Sequence, residues 1–182
     1  DLNADGEINS NDATRDIGYT DMPEYTAGLN TGFSWKNFDF SMQWTGAWNV
    51  DRMLDEFRRP LGDTNEKGLL LYQYDTTWRS SADTFTAKFP RTSSLHASNN
   101  YAGSDLYLIN TSYLRLKSVE IGYNFNFPFM KKLKMDNCRL YVNGYNLITI
   151  TGFKWGDPES RQSSRPNYPL TRVFNIGLKL GF

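Results

Sequence analysis

The side chains that most often carry chemistry are nearly missing. There is one cysteine, Cys138, and one histidine, His96, in 182 residues. A lone cysteine excludes an internal disulfide and leaves the redox compartment unread. Cys138 reads as a small packed or lipid-facing side chain. His96 sits in a polar stretch without a Cys/His partner set, so it reads as a loop histidine rather than a zinc ligand. An excess of one charge is missing too: 20 Lys and Arg balance 20 Asp and Glu. No electrostatic case exists for nucleic acid or for an anionic membrane surface. Mean hydropathy is −0.60, and no apolar run approaches the ~20 residues of a spanning helix. No signal peptide, nucleophile elbow, P-loop or dinucleotide fingerprint is found, so nothing points to an enzyme. The chain opens at Asp1 inside a motif and reads as a piece of something longer.

What is present is aromatic and alternating. Aromatics make up 15% of residues, and glycine occurs 14 times. In 25–35, Tyr25, Ala27, Leu29, Thr31, Phe33 and Trp35 fall on one face, with Thr26, Gly28, Asn30, Gly32 and Ser34 on the other. Phe38, Phe40, Met42 and Trp44 repeat the pattern against Asn37, Asp39, Ser41, Gln43 and Thr45. Period two with one apolar face predicts strands, and the short stretch SWKN between them predicts a hairpin. Residues 138–151 and 168–182 also read as strands. In the latter, Tyr168, Leu170, Phe174, Ile176, Leu178, Leu180 and Phe182 share a face, with Arg172 as the exception. Residues 113–127 slip phase: Leu114 and Leu116 are even, while Val119, Ile121, Tyr123 and Phe125 are odd. One extra residue near Lys117–Ser118 would do this, which predicts a β-bulge.

The fold class is therefore all-β, antiparallel, with about five strands. Connection lengths alternate. Short turns fall on one side of the hairpins. On the other side fall the long segments 49–104 and 152–167 and the loop 1–12. Short turns at one end and long loops at the other are the habit of outer-membrane barrels, as are aromatics near strand ends such as Tyr25, Trp35, Trp44, Trp48, Tyr123 and Phe125. A soluble sandwich would instead bury the same apolar face. Five strands cannot close a membrane barrel, and open edges are not tolerated in lipid. The barrel reading thus requires further strands. The alternative is a soluble secreted β-domain with a calcium loop that binds glycan or protein.

Several stretches carry a family likeness. DLNADGEINSNDATRDIGYTDMPEYTAGLN is an Asp-rich loop leading through Gly and Pro into a strand. KNFDFSMQWTGAWN, TTWRSSADTFTAKFPR, SYLRLKSVEIGYNF, RLYVNGYNLITITGF, GDPE and YPLTRVFNIGLKLGF follow in order. Together they resemble the C-terminal end of SusC/RagA-type TonB-dependent transporters of the Gram-negative cell outer membrane. The resemblance covers almost the whole chain. It implies the C-terminal antiparallel strands of a large transmembrane β-barrel, with 168–182 as the last strand, and a plug domain and TonB box upstream. It implies import of glycans, oligosaccharides or peptides, captured with a SusD-type surface lipoprotein and driven by TonB–ExbB–ExbD. It also implies that Phe174, Ile176, Leu178, Leu180 and Phe182 form the C-terminal signal read by the barrel-assembly machinery.

Three further groups are candidate sites. Asp1, Asn3, Asp5, Gly6 and Asp12 have the spacing of a calcium loop, with a backbone carbonyl from Glu7 and a water on Asn9. Asp12 stands where a bidentate Glu is usual, so a weaker Ca²⁺ site is expected. The plain alternative is an Asx-turn loop held by its own hydrogen bonds. Trp78, Arg79 and Arg91, with Pro90, could face a partner or ligand from the long loop; packing within the loop is the other reading. Asp157 and Glu159 are two residues apart in a loop with Pro158, which suits a solvated acidic loop better than a glycosidase pair.

Overall fold

The computed structural model describes residues 1–58, 69–92, 98–160 and 170–182. His96 and Tyr168 lie outside them. The chain divides into two compact units, Asp1–Met22 with Asp51–Asn110, and Pro23–Val50 with Thr111–Phe182. In chain order the strands are β1 (Tyr25–Trp35), β2 (Phe38–Trp48), β3 (Asp51–Met53), β4 (Leu108–Asn110), β5 (Tyr113–Phe125), β6 (Asn137–Thr151) and β7 (Val173–Gly181); α1 (Leu71–Thr76) is a short helix.

In the unit that holds the long strands, β1, β2, β5, β6 and β7 form a five-stranded antiparallel sheet in that order. The alternation in sequence becomes alternation across the sheet because the register matches like with like. One apolar row runs Phe33–Phe40–Ile121–Val142–Ile176, and the next runs Trp35–Phe38–Tyr123–Leu140–Leu178. The opposite face carries rows such as Gly32–Ser41–Glu120–Asn143–Asn175. The hairpin turns on Lys36–Asn37, with Lys36 at φ 55°. A compact 3-10 turn at Pro128–Leu133 joins β5 to β6. Rings gather near these short turns. Phe38 and Tyr123 are 4.7 Å apart, Tyr123 and Phe125 4.8 Å, and Phe125 stacks on Phe127 at 5.3 Å. Aromatic pairs at such spacings add about 0.5–1.5 kcal/mol beyond their area.

The expected bulge is there. Gln43 pairs with Ser118 and Trp44 with Leu116, leaving Lys117 as the extra residue, and the β5–β6 register shifts at the same place. On β6 the shift falls at Asn146, at φ 53°. Pairing of β6 with β7 stops at Tyr145–Val173. Beyond it the Asn146 side-chain amide donates to the Thr171 carbonyl at 3.2 Å. The last strand is thus shorter than 168–182: Leu170–Arg172 precede it, and Arg172 is no exception on its apolar face.

The other unit is built differently. The long loop expected over 49–104 holds regular pieces, among them β3 and α1. β3 and β4 pair as a ribbon, with Asp51 opposite Asn110. Leu54, Phe57, Phe89 and Tyr107 are buried. The Phe89 ring is 5.3 Å from Phe57, 5.9 Å from Tyr72 and 6.3 Å from Tyr107. Asp51 accepts from the Tyr19 amide at 2.8 Å and from the Asn110 side chain at 2.9 Å, which ties the N-terminal segment to the ribbon. Tyr107 donates to the Asn100 carbonyl at 2.5 Å, and burial pushes its hydroxyl up to about 12.

Candidate functional site

The sheet's two faces differ in chemistry. On one, Ile121, Ile176 and Leu178 are 51%, 74% and 59% exposed. On the other, charges are paired. Apolar outside with ion pairs inside is the reverse of a water-soluble sandwich, where the apolar face is covered.

Two ionic clusters mark the polar face. Near the short turns, Arg139 of β6 reaches across β5 to Asp39 of β2. Its Nε donates to Asp39 at 3.0 Å, and an Nη donates to the same carboxylate and to Glu120 at 2.7 Å. The reach is possible because Gly122 lies between: a Cβ there would sit 2.4 Å from the guanidinium. The Tyr141 ring likewise lies on Gly177, where a Cβ would meet it at 2.3 Å. Asn124 and Asn143 complete the cluster, donating to Asp39 and Glu120 at 3.1 Å each.

Toward the other end, Arg115 is only 1% exposed. It donates to Asp157 and to Glu159 at 2.8 Å each, and to the Thr149 hydroxyl at 3.1 Å. Glu159 also accepts from the Tyr113 hydroxyl at 2.9 Å and from Lys117 at 3.1 Å. Tyr113, Arg115 and Lys117 are spaced by two, so a strand presents them together. The bulge keeps Lys117 on this side while Ser118 resumes the polar row, which is how bulges re-aim side chains. The acceptors share one turn. Asp157 caps the Glu159 amide at 2.9 Å, and the Ser160 amide closes onto the Asp157 carbonyl at 3.1 Å. Asp followed by Pro favours such a turn.

The expectation of a solvated acidic loop at Asp157 and Glu159 is therefore corrected. The Asp157 side chain is 8% exposed, and the pair neutralises a buried arginine. Sequence reading missed Arg115, Lys117, Glu120 and Arg139 as a set. The signal was there: charged residues at alternate positions within otherwise apolar strands.

The residues singled out in loops fare differently. In the loop 1–12, carboxylates accept from backbone amides: Gly6 to Asp1 at 2.8 Å, Glu7 to Asp5 at 2.8 Å, and Leu2 and Asn9 to Asp12 at 2.7 and 2.8 Å. Asn3 donates to Asp5 at 2.8 Å. These bonds hold the carboxyls of Asp5 and Asp12 below the usual range, through the Glu7 and Asn9 amides first. Among the described residues no three His, Cys, Asp or Glu side chains come together as metal ligands do. The donor chemistry still suits a hard cation: Asp12 Oδ1 takes both the Leu2 and Asn3 amides, while the oxygens of Asp1 and Asp5 and Asp12 Oδ2 accept one bond each and keep a second lone pair. Trp78 is half-buried, with its amide on the Phe89 carbonyl at 2.9 Å. Arg79 is exposed, bonded to the Tyr74 carbonyl and 4.3 Å over the Tyr74 ring. Arg91 is exposed, its carbonyl accepting from Asn100 at 3.3 Å. Trp78 and Arg79 thus have partners within the loop. Phe174, Ile176, Leu178 and Leu180 share one face of β7, and Phe182 follows its end.

Comparison with known proteins gives a consistent family. No family model matches the chain. TonB-dependent receptor P3 of Formosa agariphila is 30% identical over 199 residues, covering 100% of this chain and 18% of the receptor. TonB-dependent receptor SusC of Bacteroides thetaiotaomicron is 27% identical over 184 residues, covering 100% of this chain and 17% of SusC. Among solved structures, the RagAB peptide transporter matches with a TM-score of 0.68 at 21% identity, over 90% of this chain and 18% of that one. The closed-closed state of the RagAB peptide importer matches with a TM-score of 0.71 at 19% identity, over 98% of this chain and 20% of that one. The chain spans less than a fifth of the length of the curated relatives it matches. The open five-stranded sheet with an apolar outer face is thus a stretch of wall of the RagAB kind, and the chain is, from end to end, a relative of the SusC-type TonB-dependent receptors.

Proposed function

We propose that the chain is the C-terminal part of an outer-membrane importer. The sheet spans the Gram-negative outer membrane as one section of a closed barrel. The carrying observation is the apolar face that continues across all five strands while ion pairs occupy the other. In lipid that exposure is favourable, and the paired charges belong on a lumen side. β7 then closes the barrel, and its apolar face with Phe182 serves the barrel-assembly machinery. The long connections 49–104 and 152–167 and the loop 1–12 lie outside the cell.

In the same reading, the full-length protein takes up oligosaccharides or peptides with a SusD-type lipoprotein. TonB–ExbB–ExbD drives it through regions beyond this chain. The likeness to SusC and to the RagAB peptide transporter supports this reading. Trp78, Arg79 and Arg91 belong to the outer loops, where the lipoprotein or the cargo would meet them. Asp1, Asn3, Asp5, Glu7 and Asp12 hold Ca²⁺ weakly, bracing the first loop. Extracellular modules work at roughly 10⁻⁴–10⁻³ M calcium, so calorimetric titration in that range should show heat that Asp5→Ala abolishes.

The deciding experiment is fractionation with growth. The full-length protein should be found in the outer membrane and shift on heating as closed barrels do. Deleting its gene should abolish growth on one class of polymer, glycan or protein hydrolysate. A 21.0 kDa soluble or secreted product would overturn the reading in favour of a soluble binding module.

A further inference from the structure

The Arg115 cluster joins two parts of the chain that have no need to meet for strand pairing. Arg115 lies on the polar face of β5, opposite Thr45 of β2 and Thr149 of β6. A polar-face side chain that is 1% exposed must be covered. Part of the cover is the segment after β6. Asp157 and Glu159 come from it, 42 and 44 residues from Arg115. Phe153 of the same segment is buried. Instead of running on past the end of β6, residues 152–160 turn back onto the polar face. Tyr113, Arg115 and Lys117 hold them there through one two-carboxylate turn.

We propose that Arg115 is a positioning residue that fixes residues 152–160 as a strap across the polar face, narrowing the passage which that face bounds. Arg115, Asp157 and Glu159 would then help set the size of solute that passes. This rests on the reading that the polar face lines a barrel lumen. The chemistry suits a fixed strap. A guanidinium offers its donors in a rigid fork, so two carboxylates fix both the position and the tilt of the turn. Lys117 adds a second cation that the bulge directs to the same carboxylate. Charged hydrogen bonds tie the strap to strand side chains.

The test uses the full-length receptor in intact cells. Thr45→Cys is placed beside Arg115 in a Cys138→Ala background, and labelling is followed with maleimides on polyethylene glycol of graded mass. Releasing the strap from the strand side by Arg115→Met, or from the loop side by Asp157→Asn with Glu159→Gln, should raise labelling at position 45 roughly tenfold and admit larger reagents. Asn175→Cys, on the same face three strands from position 45, should label at an unchanged rate. Arg115→Lys should restore part of the exclusion. Each variant is first checked for outer-membrane abundance and heat-shifted mobility, which removes misfolded protein from the comparison. Correctly assembled release variants with unchanged labelling and size limit overturn the strap. A receptor that neither shifts on heating nor sediments with the outer membrane overturns the barrel reading, and the strap with it.

Discussion

The two units use aromatic residues in opposite ways. In the ribbon unit, Phe57, Phe89 and Tyr107 turn inward and are buried together. In the sheet unit, Phe33, Trp35, Phe38 and Phe174 turn outward, while charges fill the other side. One chain therefore contains an ordinary water-excluding core and an inverted one. The difference teaches which solvent each unit is built for. The first buries apolar surface from water. The second presents apolar surface on one face and gathers ion pairs on the other, the arrangement a low-dielectric exterior favours.

The contrast can be broken from either side, and the largest effect is expected in the water-facing core. Phe89→Ala should cost about 3–5 kcal/mol and be felt locally. Hydrogen exchange should rise across 71–89 and 105–110 while protection of the five-stranded sheet holds. Leu178→Arg should cost roughly 2–4 kcal/mol near a bilayer midplane. The yield of heat-shifting protein in the outer membrane should fall, whereas Asn175→Arg on the opposite face should assemble. Equal loss from both would end the two-faced account of the sheet.

Gly122→Ala should cost about 1–3 kcal/mol by pushing Arg139 from Asp39 and forfeiting charged hydrogen bonds. Chemical unfolding of the assembled barrel, with Gly152→Ala as control, measures it. A Cβ at position 152 meets nothing within 4 Å.

The smaller effects are in pH. Tyr107 is held up to about 12 by burial, above the ordinary phenol value near 10. Its neutral form is the folded one, so its contribution is complete below pH 10 and lost as pH rises toward 12. Ultraviolet titration should show a late-ionising fraction of the tyrosines, and Tyr107→Phe should diminish it. At the acid end, Asp12 is held low by the Asn9 and Leu2 amides. Its contribution to the first loop is present above the ordinary carboxyl value and fades as pH falls below it. Proteolytic nicking near residues 1–12 should therefore rise only in strong acid.

The strand faces were legible because period two is written locally. Each of Phe33, Phe40, Ile121, Val142 and Ile176 announces its side through its immediate neighbours. The bulge was legible for the same reason, since Leu116 and Val119 disagree in parity. The Arg115 cluster was not. Its partners are separated by more than 40 residues, and an acidic pair beside a proline has the composition of a solvated loop. The three-residue β3 and β4 were invisible because so short a strand has no period to show. At Asp1–Asp12, one spacing serves both a cation cage and a set of Asx turns, so residue types alone could not choose.

The bulge at Lys117 has a consequence for how this wall tolerates change. Removing Lys117 would bring Leu114 and Leu116 into phase with Val119, Ile121 and Tyr123, giving β5 an unbroken alternation. A one-residue deletion, ordinarily ruinous in a strand because it inverts every side chain beyond it, would here leave the lipid-facing side intact and remove only one arm of the grip on Glu159. The extra residue thus works as a spare link: the wall can lose it and remain a wall, while the strap it helps to hold becomes a part that can be tuned apart from the membrane.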